Sequence, residues 1–88
     1  MVNLGDTNTI IVGQADVDTV SDILKKEGIQ GAFIFPGTGF WEGEKETAVC
    51  IFLDGLPLAE VVGICGALRD TFGQDCVLLR RNGEAYLV

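Results

Sequence analysis

Histidine is absent from this 88-residue sequence, and cations are scarce: 6 lysines and arginines stand against 13 aspartates and glutamates, giving a net charge of −7. Without histidine, the chain lacks the usual general base near neutral pH and the commonest metal ligand. With so few cations, it lacks the clustered positive charge that binds a phosphate backbone. The composition therefore argues against nucleic-acid binding and favours a protein partner or a small ligand held by backbone groups.

Paired cysteines, a signal peptide and a long apolar run are also missing. The three cysteines, Cys50, Cys65 and Cys76, each stand singly within apolar runs. This pattern predicts reduced core residues and a cytoplasmic location. The first residues, MVNLGDTNT, lack the basic flank and apolar core of a signal peptide,. Asp54 and Pro57 interrupt the longest apolar stretch, residues 48–68, so no membrane span is predicted,.

The first third of the chain predicts one strand followed by one helix. A chain of this length forms one domain and has a thin core,. Residues 9–13, TIIVG, form a β-branched run that ends in glycine, which is typical of a short strand with both faces buried,. Asp16 can cap a helix with apolar positions at helical spacing, and Gly28 can end it,.

The rest of the chain predicts four more elements. Residues 31–35 form a second strand that Pro36 should stop, and residues 47–53 form a third,. A second helix follows Pro57, with its apolar stripe at Leu58, Val61, Val62, Cys65, Leu68 and Phe72,. Small residues beside this stripe, including Gly63, favour close approach to another backbone, either within the chain, which we prefer, or in a neighbouring subunit. Residues 75–80 form a fourth strand, and an Asn-Gly turn leads into a fifth, residues 84–88,.

This order of elements predicts an α+β fold: a ferredoxin-like plait (βαββαβ) with a C-terminal β-hairpin, an antiparallel sheet and two helices on one face. The strand sequences IIV, AFIF, AVCIFL and CVLL are apolar on both faces. In a sheet with one solvent-exposed face, apolar and polar residues should alternate along each strand. We therefore expect a homo-oligomer that buries the open sheet face. In the alternative, the fifth strand, the N-terminal residues or the glycine-rich loop covers that face.

Two short motifs resemble a known group of proteins. The segments GFWEGEKE, at residues 39–46, and FGQDCVL, at residues 72–78, are similar to a turn and a strand entry in small uncharacterised ferredoxin-like proteins of phages and mobile elements. The resemblance implies the same plait, which is also similar in order to the trimeric nitrogen-regulatory and copper-tolerance plaits. It implies no particular activity, but small phage proteins often antagonise host defence.

The glycine-rich loop supplies most candidate binding residues. Gly37, Thr38 and Gly39 could form a nest of backbone N–H groups for an anion, and Phe40 or Trp41 could stack on a base,. In the alternative, the glycines supply positive φ angles and Trp41 folds back onto the sheet.

Charged residues complete the candidate set. Glu42, Glu44 and Glu46 alternate, so on a strand they could bind a hard cation or act as an acid pair, although a solvated hairpin flank is the better explanation,. Arg80 and Arg81 could gather around an anionic ligand, or could merely screen the excess acid.

We accordingly predict a non-catalytic oligomeric binding module, and no catalytic residue, metal or cofactor. Its acidic surface and the tip between Gly37 and Glu46 would block a host protein, as in a phage counter-defence protein. Alternatively, the chain would sequester or sense a small anionic nucleotide at subunit interfaces. A second alternative is a small carboxylate- or metal-dependent enzyme. The expectation is that the chain is not an enzyme.

Overall fold

A computed structural model describes all 88 residues and arranges them as a five-stranded antiparallel sheet with two helices on one face. The elements are β1 (Asn8–Gly13), α1 (Val17–Lys26), β2 (Phe33–Trp41), β3 (Glu44–Phe52), α2 (Leu58–Thr71), β4 (Leu78–Arg81) and β5 (Glu84–Leu87). The strand order is β2-β3-β1-β4-β5, so β1 and β3 are interior strands. The predicted ferredoxin-like plait with a C-terminal hairpin is confirmed.

Helix α1 lies where the sequence predicts it. The carboxylate of Asp16 accepts a 2.7 Å hydrogen bond from the backbone N–H of Thr19 and so caps the first turn,. This bond, together with one from the Thr19 hydroxyl, lowers the pKa of Asp16,. Val20 and Leu24 are buried against the sheet. Gly28, with a φ of +77°, follows the last turn and redirects the chain,.

The β2-β3 hairpin is longer than predicted, because β2 continues through Pro36 to Trp41. The prediction that Pro36 ends the strand is wrong. Strand β2 is an edge strand with β3 as its one neighbour, and an edge strand tolerates a residue without an N–H group,. Glu42 and Gly43 form the turn, with φ angles of 49° and 82°. These left-handed angles match a type I′ turn, whose twist suits a two-residue hairpin loop.

The buried side of α2 differs from the predicted stripe. Its buried residues are Val61, Ile64, Cys65 and Leu68. Leu58 and Val62 are exposed. Burial raises the pKa of the Cys65 thiol to about 11, so the thiol is protonated at neutral pH,. A methyl group added at Gly63 would meet no atom within 4 Å, so the expected close approach of another backbone within the chain is wrong at this position.

Strand β4 begins at Leu78, three residues later than predicted, and pairs with β5. Two backbone hydrogen bonds between Val77 and Val88, of 2.9 and 3.0 Å, extend this hairpin beyond the regular strands. Asn82 and Gly83 form its turn with φ angles of 50° and 85°, as the Asn-Gly pair predicts,. Neither helix of the protein has the length and apolar character needed to span a bilayer.

The core lies between the helices and one face of the sheet, where Ile10, Ile51 and Leu79 are fully buried side by side. The opposite face, called the open face below, has no helix over it. It presents Thr9, Ile11 and Gly13 of β1; Phe33, Phe35, Gly37, Gly39 and Trp41 of β2; Glu44, Glu46, Ala48, Cys50 and Phe52 of β3; and Leu78 and Arg80 of β4. Phe33 is 70 % exposed and Phe35 is 45 % exposed. Strand β5 lies at the sheet edge and the glycine-rich stretch is part of β2, so neither covers this face.

Candidate functional site

The outer half of the β2-β3 hairpin extends beyond the rest of the sheet. Strand β1 pairs with β3 only as far as the Gly13 and Ala48 pair. Beyond it, the pairs from Thr38 with Thr47 to Trp41 with Glu44 have no third strand beside them. This two-stranded segment, residues 38–47, is called the hairpin tip. Its open-face side continues the open face of the main sheet.

Glu46 lies where the hairpin tip joins the main sheet, and glycines flank it on both neighbouring strands. Gly39 is its partner across β2, and a Cβ atom at Gly39 would lie 3.2 Å from Cγ of Glu46. On the other side, a Cβ atom at Gly13 would collide with Oε1 of Glu46. The two glycines therefore leave the space in which the Glu46 side chain lies.

A second polar side chain reaches the same space from the loop after α2. Oε1 of Gln74 lies 3.1 Å from the position that a Cβ atom of Gly13 would take. Its Nε2 atom donates a 3.3 Å hydrogen bond to the carbonyl oxygen of Phe72, and its backbone N–H donates a 2.9 Å bond to Arg69 O. These bonds fix the amide so that its oxygen faces Gly13. We call Gly13, Gly39, Glu46 and Gln74 the Glu46 cradle.

The charge of the Glu46 cradle is negative. Glu46 is half-buried and has no ion pair or side-chain hydrogen bond, since the two ion pairs of the chain join Arg69 to Asp70 and Arg81 to Asp6. Glu44 lies two residues away on the same face. An unpaired, partly desolvated carboxylate attracts a cation more strongly than one in open water. The cradle therefore carries one unpaired negative charge on the open face.

The predicted loop residues are part of a strand instead of a nest. None of Gly37, Thr38 and Gly39 has a positive φ, so neither the predicted anion nest nor the alternative of left-handed glycines is present. Phe40 and Trp41 point to opposite faces of the hairpin tip, 73 % and 69 % exposed. Trp41 therefore does not fold back onto the sheet, and it shares the open face with Glu46.

The three glutamates do not line one strand face, because Glu42 belongs to the turn. Glu44 and Glu46 share the open face. No group of three or more carboxylate or cysteine side chains is close enough together to hold a metal ion.

The two arginines are separated by the sheet. Arg80 is exposed on the open face, opposite Thr9 of β1. Arg81 points to the helix side, where its Nη2 lies 2.9 Å from Oδ2 of Asp6. The structure therefore does not gather both around one ligand.

Sequence reasoning placed two members of the Glu46 cradle outside the site. Gly13 was interpreted only as the end of a strand, and Gln74 as a residue that bonds backbone groups at the junction of helix and strand. The second interpretation describes the bond to Phe72 correctly. One sequence feature could have pointed to Gly13. It is a glycine that directly follows a run of β-branched residues, at a position where no turn requires a glycine. Only the register of β1 against β3 brings it beside Glu46.

The sequence matches no protein-family model and no curated protein. Among solved structures, the chain is similar to a phage SAM (S-adenosylmethionine) lyase in its apo state, at 25 % identity and a TM-score of 0.69, covering 100 % of this chain and 94 % of the lyase. It is also similar to CPII, a nitrogen regulatory PII-like protein from Thiomonas intermedia K12, bound to ADP, AMP and bicarbonate, at 17 % identity and a TM-score of 0.62, covering 94 % and 90 % of the two chains. The apo form of CPII gives 16 % identity and a TM-score of 0.57, covering 94 % and 89 %.

These similarities correct one expectation and support another. The similarity to CPII shows the shared fold alone. The phage SAM lyase is an enzyme, and its likeness to this whole chain overturns the expectation that the chain is not an enzyme. The resemblance to small ferredoxin-like phage proteins is supported at the level of the fold, and the two short motifs stay a prediction.

Proposed function

We propose that this protein is an enzyme that binds S-adenosylmethionine and cleaves it, as the phage SAM lyase is named for doing. The observation that carries the proposal is the unpaired carboxylate of Glu46 in its glycine cradle, in a chain that resembles that lyase from end to end. S-adenosylmethionine carries two positive groups, a sulfonium and an α-ammonium. An acidic cradle is the complement of such a ligand.

Charge also favours this ligand over a nucleotide. ADP and AMP, which CPII binds, carry phosphates, whereas this chain has a net charge of −7 and places Glu44 and Glu46 on the open-face side of the hairpin tip. Arg80 is the one cation on the open face, and Arg81 is engaged by Asp6. A phosphate would meet repulsion there that a sulfonium would not. Nucleotide sensing is therefore the second candidate, supported by the PII-like fold.

The chemistry of a sulfonium suits a site without histidine. When a lyase breaks a carbon–sulfur bond of the sulfonium, sulfur keeps the bonding electron pair and leaves as a neutral thioether. As that bond breaks, the substrate's own carboxylate attacks the carbon to form a lactone, or a carboxylate acting as base takes a proton from the neighbouring carbon to form an alkene. Neither route consumes water or an oxidant. A neutral leaving group needs no protonation, so the site needs no general acid. The protein has to bind the substrate in the reactive conformation and exclude water.

A second copy of the chain supports this function by covering the open face. Phe35 lies with its ring centroid 5.2 Å from that of Phe52 and 6.5 Å from that of Phe33, forming an exposed aromatic cluster. Burying such a cluster against another subunit removes apolar area from water at about 25 cal/mol per Å². The Glu46 cradle and Trp41 lie on the same open face, four and six residues along the hairpin from Phe35. A subunit that covers the whole face would therefore enclose a ligand bound there.

The proposed activity also fits the phage resemblance. An enzyme that destroys S-adenosylmethionine in the cytoplasm would deprive host methyl-transfer reactions of their donor, which is one route to counter host defence. Blocking of a host protein by the hairpin tip stays a prediction that no finding tests.

Incubation of the purified protein with S-adenosylmethionine tests the proposal, with products identified by mass spectrometry. We expect methylthioadenosine together with a four-carbon product, either a lactone or an unsaturated amino acid. Glu46→Gln should lower the rate, and Glu60→Gln, which changes an exposed carboxylate of α2, should not. Intact substrate after long incubation, combined with tight binding of ADP or AMP, would replace the proposal with nucleotide sensing.

A further inference from the structure

We infer that the oxygens of Glu46 and Gln74 bind the α-ammonium group of the ligand, not its sulfonium. The inference rests on the proposed function and assigns one end of the substrate to the Glu46 cradle. It also identifies Gly13 and Gln74 as residues that determine specificity.

Two hydrogen-bond acceptors lie close together beside Gly13. Oε1 of Glu46 and Oε1 of Gln74 both lie within 3.1 Å of the position that a Cβ atom of Gly13 would occupy. The two oxygens therefore lie close to each other beside Gly13, where the absence of a side chain leaves room for them. A ligand group that binds between them would be within reach of both oxygens. It must therefore be a donor of hydrogen bonds.

The orientation of Gln74 settles which of its polar atoms is available. Nε2 is occupied by the carbonyl oxygen of Phe72, at 3.3 Å. The backbone of Gln74 is held by the bond from its N–H to Arg69 O, directly after the left-handed Gly73 at a φ of +61°. The amide oxygen is left without a protein partner. Gln74 and Glu46 thus present two acceptors and no donor.

An ammonium matches these acceptors better than a sulfonium does. An ammonium offers three N–H donors, whereas a sulfonium has no hydrogen on its charged atom. Moreover, the sulfonium loses its charge as the carbon–sulfur bond breaks. A carboxylate placed against sulfur would stabilise the substrate more than the transition state and would slow the reaction. The ammonium keeps its charge throughout, so a carboxylate there binds substrate and transition state alike.

Isothermal titration calorimetry with two stable compounds distinguishes binding of the ammonium from binding of the sulfonium. S-adenosylhomocysteine keeps the ammonium but has a neutral sulfur, and methylthioadenosine lacks both positive groups. We expect Glu46→Gln to weaken binding of S-adenosylhomocysteine by about tenfold or more, as for the loss of a charge-assisted hydrogen bond. Gln74→Leu should weaken it less. Binding of methylthioadenosine should be unchanged in both variants. Glu60→Gln, at an exposed position of α2, is the control and should leave both affinities unaltered.

Other outcomes would overturn the inference in distinguishable ways. If Glu46→Gln leaves S-adenosylhomocysteine binding intact but raises the KM for S-adenosylmethionine, Glu46 faces the sulfonium. If Glu46→Gln weakens the binding of both compounds equally at an unchanged melting temperature, the cradle contacts the adenosine portion of the ligand. If the wild-type protein binds neither compound and leaves S-adenosylmethionine intact, the proposed function itself fails.

Discussion

Arg81 donates a 2.8 Å hydrogen bond from Nη1 to Oδ1 of Asn8, and so joins β4 to the first residue of β1 on the helix side of the sheet. Asn8 is fully buried, and its Nδ2 donates to Leu53 O at 2.9 Å. The same guanidinium donates to Leu56 O at 3.1 Å and pairs with Asp6. This network leaves no buried side-chain polar atom without a partner. Arg81 therefore stabilises the fold, although its sequence position next to Arg80 suggested a shared ligand.

The two neighbouring arginines should differ sharply when each is replaced. Arg81→Ala should lower the free energy of unfolding by about 2 to 3 kcal/mol, because it leaves Oδ1 of the buried Asn8 without its donor. Arg80→Ala, at an exposed position, should change it by no more than about 0.5 kcal/mol. Urea unfolding followed by circular dichroism measures both. Equal effects of the two changes would contradict the structural role of Arg81.

Gly13→Ala is expected to weaken ligand binding while leaving the stability of the fold almost unchanged. The added methyl group would enter the space between Glu46 and Gln74 and displace the end of the flexible Glu46 side chain. Because Gly13 has no left-handed φ, the backbone accepts alanine, and the melting temperature should change little. Binding of S-adenosylhomocysteine should fall at least about tenfold. Gly37→Ala, where a methyl group would meet nothing within 4 Å, is the control and should bind normally.

Trp41 and Phe40 offer a matched pair on the hairpin tip. Both are strongly exposed, but only Trp41 shares the open face with the Glu46 cradle. If Trp41 stacks on the adenine ring, Trp41→Ala should weaken binding of methylthioadenosine by roughly fivefold to a hundredfold. Phe40→Ala should have no such effect, and neither change should unfold the protein. A large loss of stability in Trp41→Ala would show instead that the ring packs in a subunit interface.

Assembly through the open face can be tested at Phe35. The wild-type protein should sediment as a particle heavier than the 9.4 kDa chain. Phe35→Asp should give monomers, because it places a charge within the aromatic cluster,. Val62→Asp, at an exposed apolar position of α2 away from the open face, should leave the mass unchanged. A wild-type protein that remains monomeric at high concentration would refute the proposed assembly.

Local signals in the sequence determined the elements and their order. Asp16, Gly28 and the Asn-Gly pair at residue 82 act through hydrogen bonds and φ angles within a few residues, so their effects could be predicted without a structure,. The apolar strands likewise predicted the sheet, and its open face is apolar at Phe33, Phe35 and Phe52 as expected; the partner on that face stays a prediction. Pro36 misled the prediction because the effect of a proline depends on whether its strand lies at an edge, which is a property of the whole sheet,.

The candidate site was decided by the tertiary structure. Gly13, Glu46 and Gln74 are separated by many residues in the chain, and they meet because β1 pairs with β3 in one register and α2 ends above that point. A shift of one residue in that register would turn Glu46 to the other face. Periodicity specifies which faces are apolar, but contact between distant side chains depends on strand order and register. The acidic composition could therefore be predicted from the sequence, whereas the contact among Gly13, Glu46 and Gln74 could not.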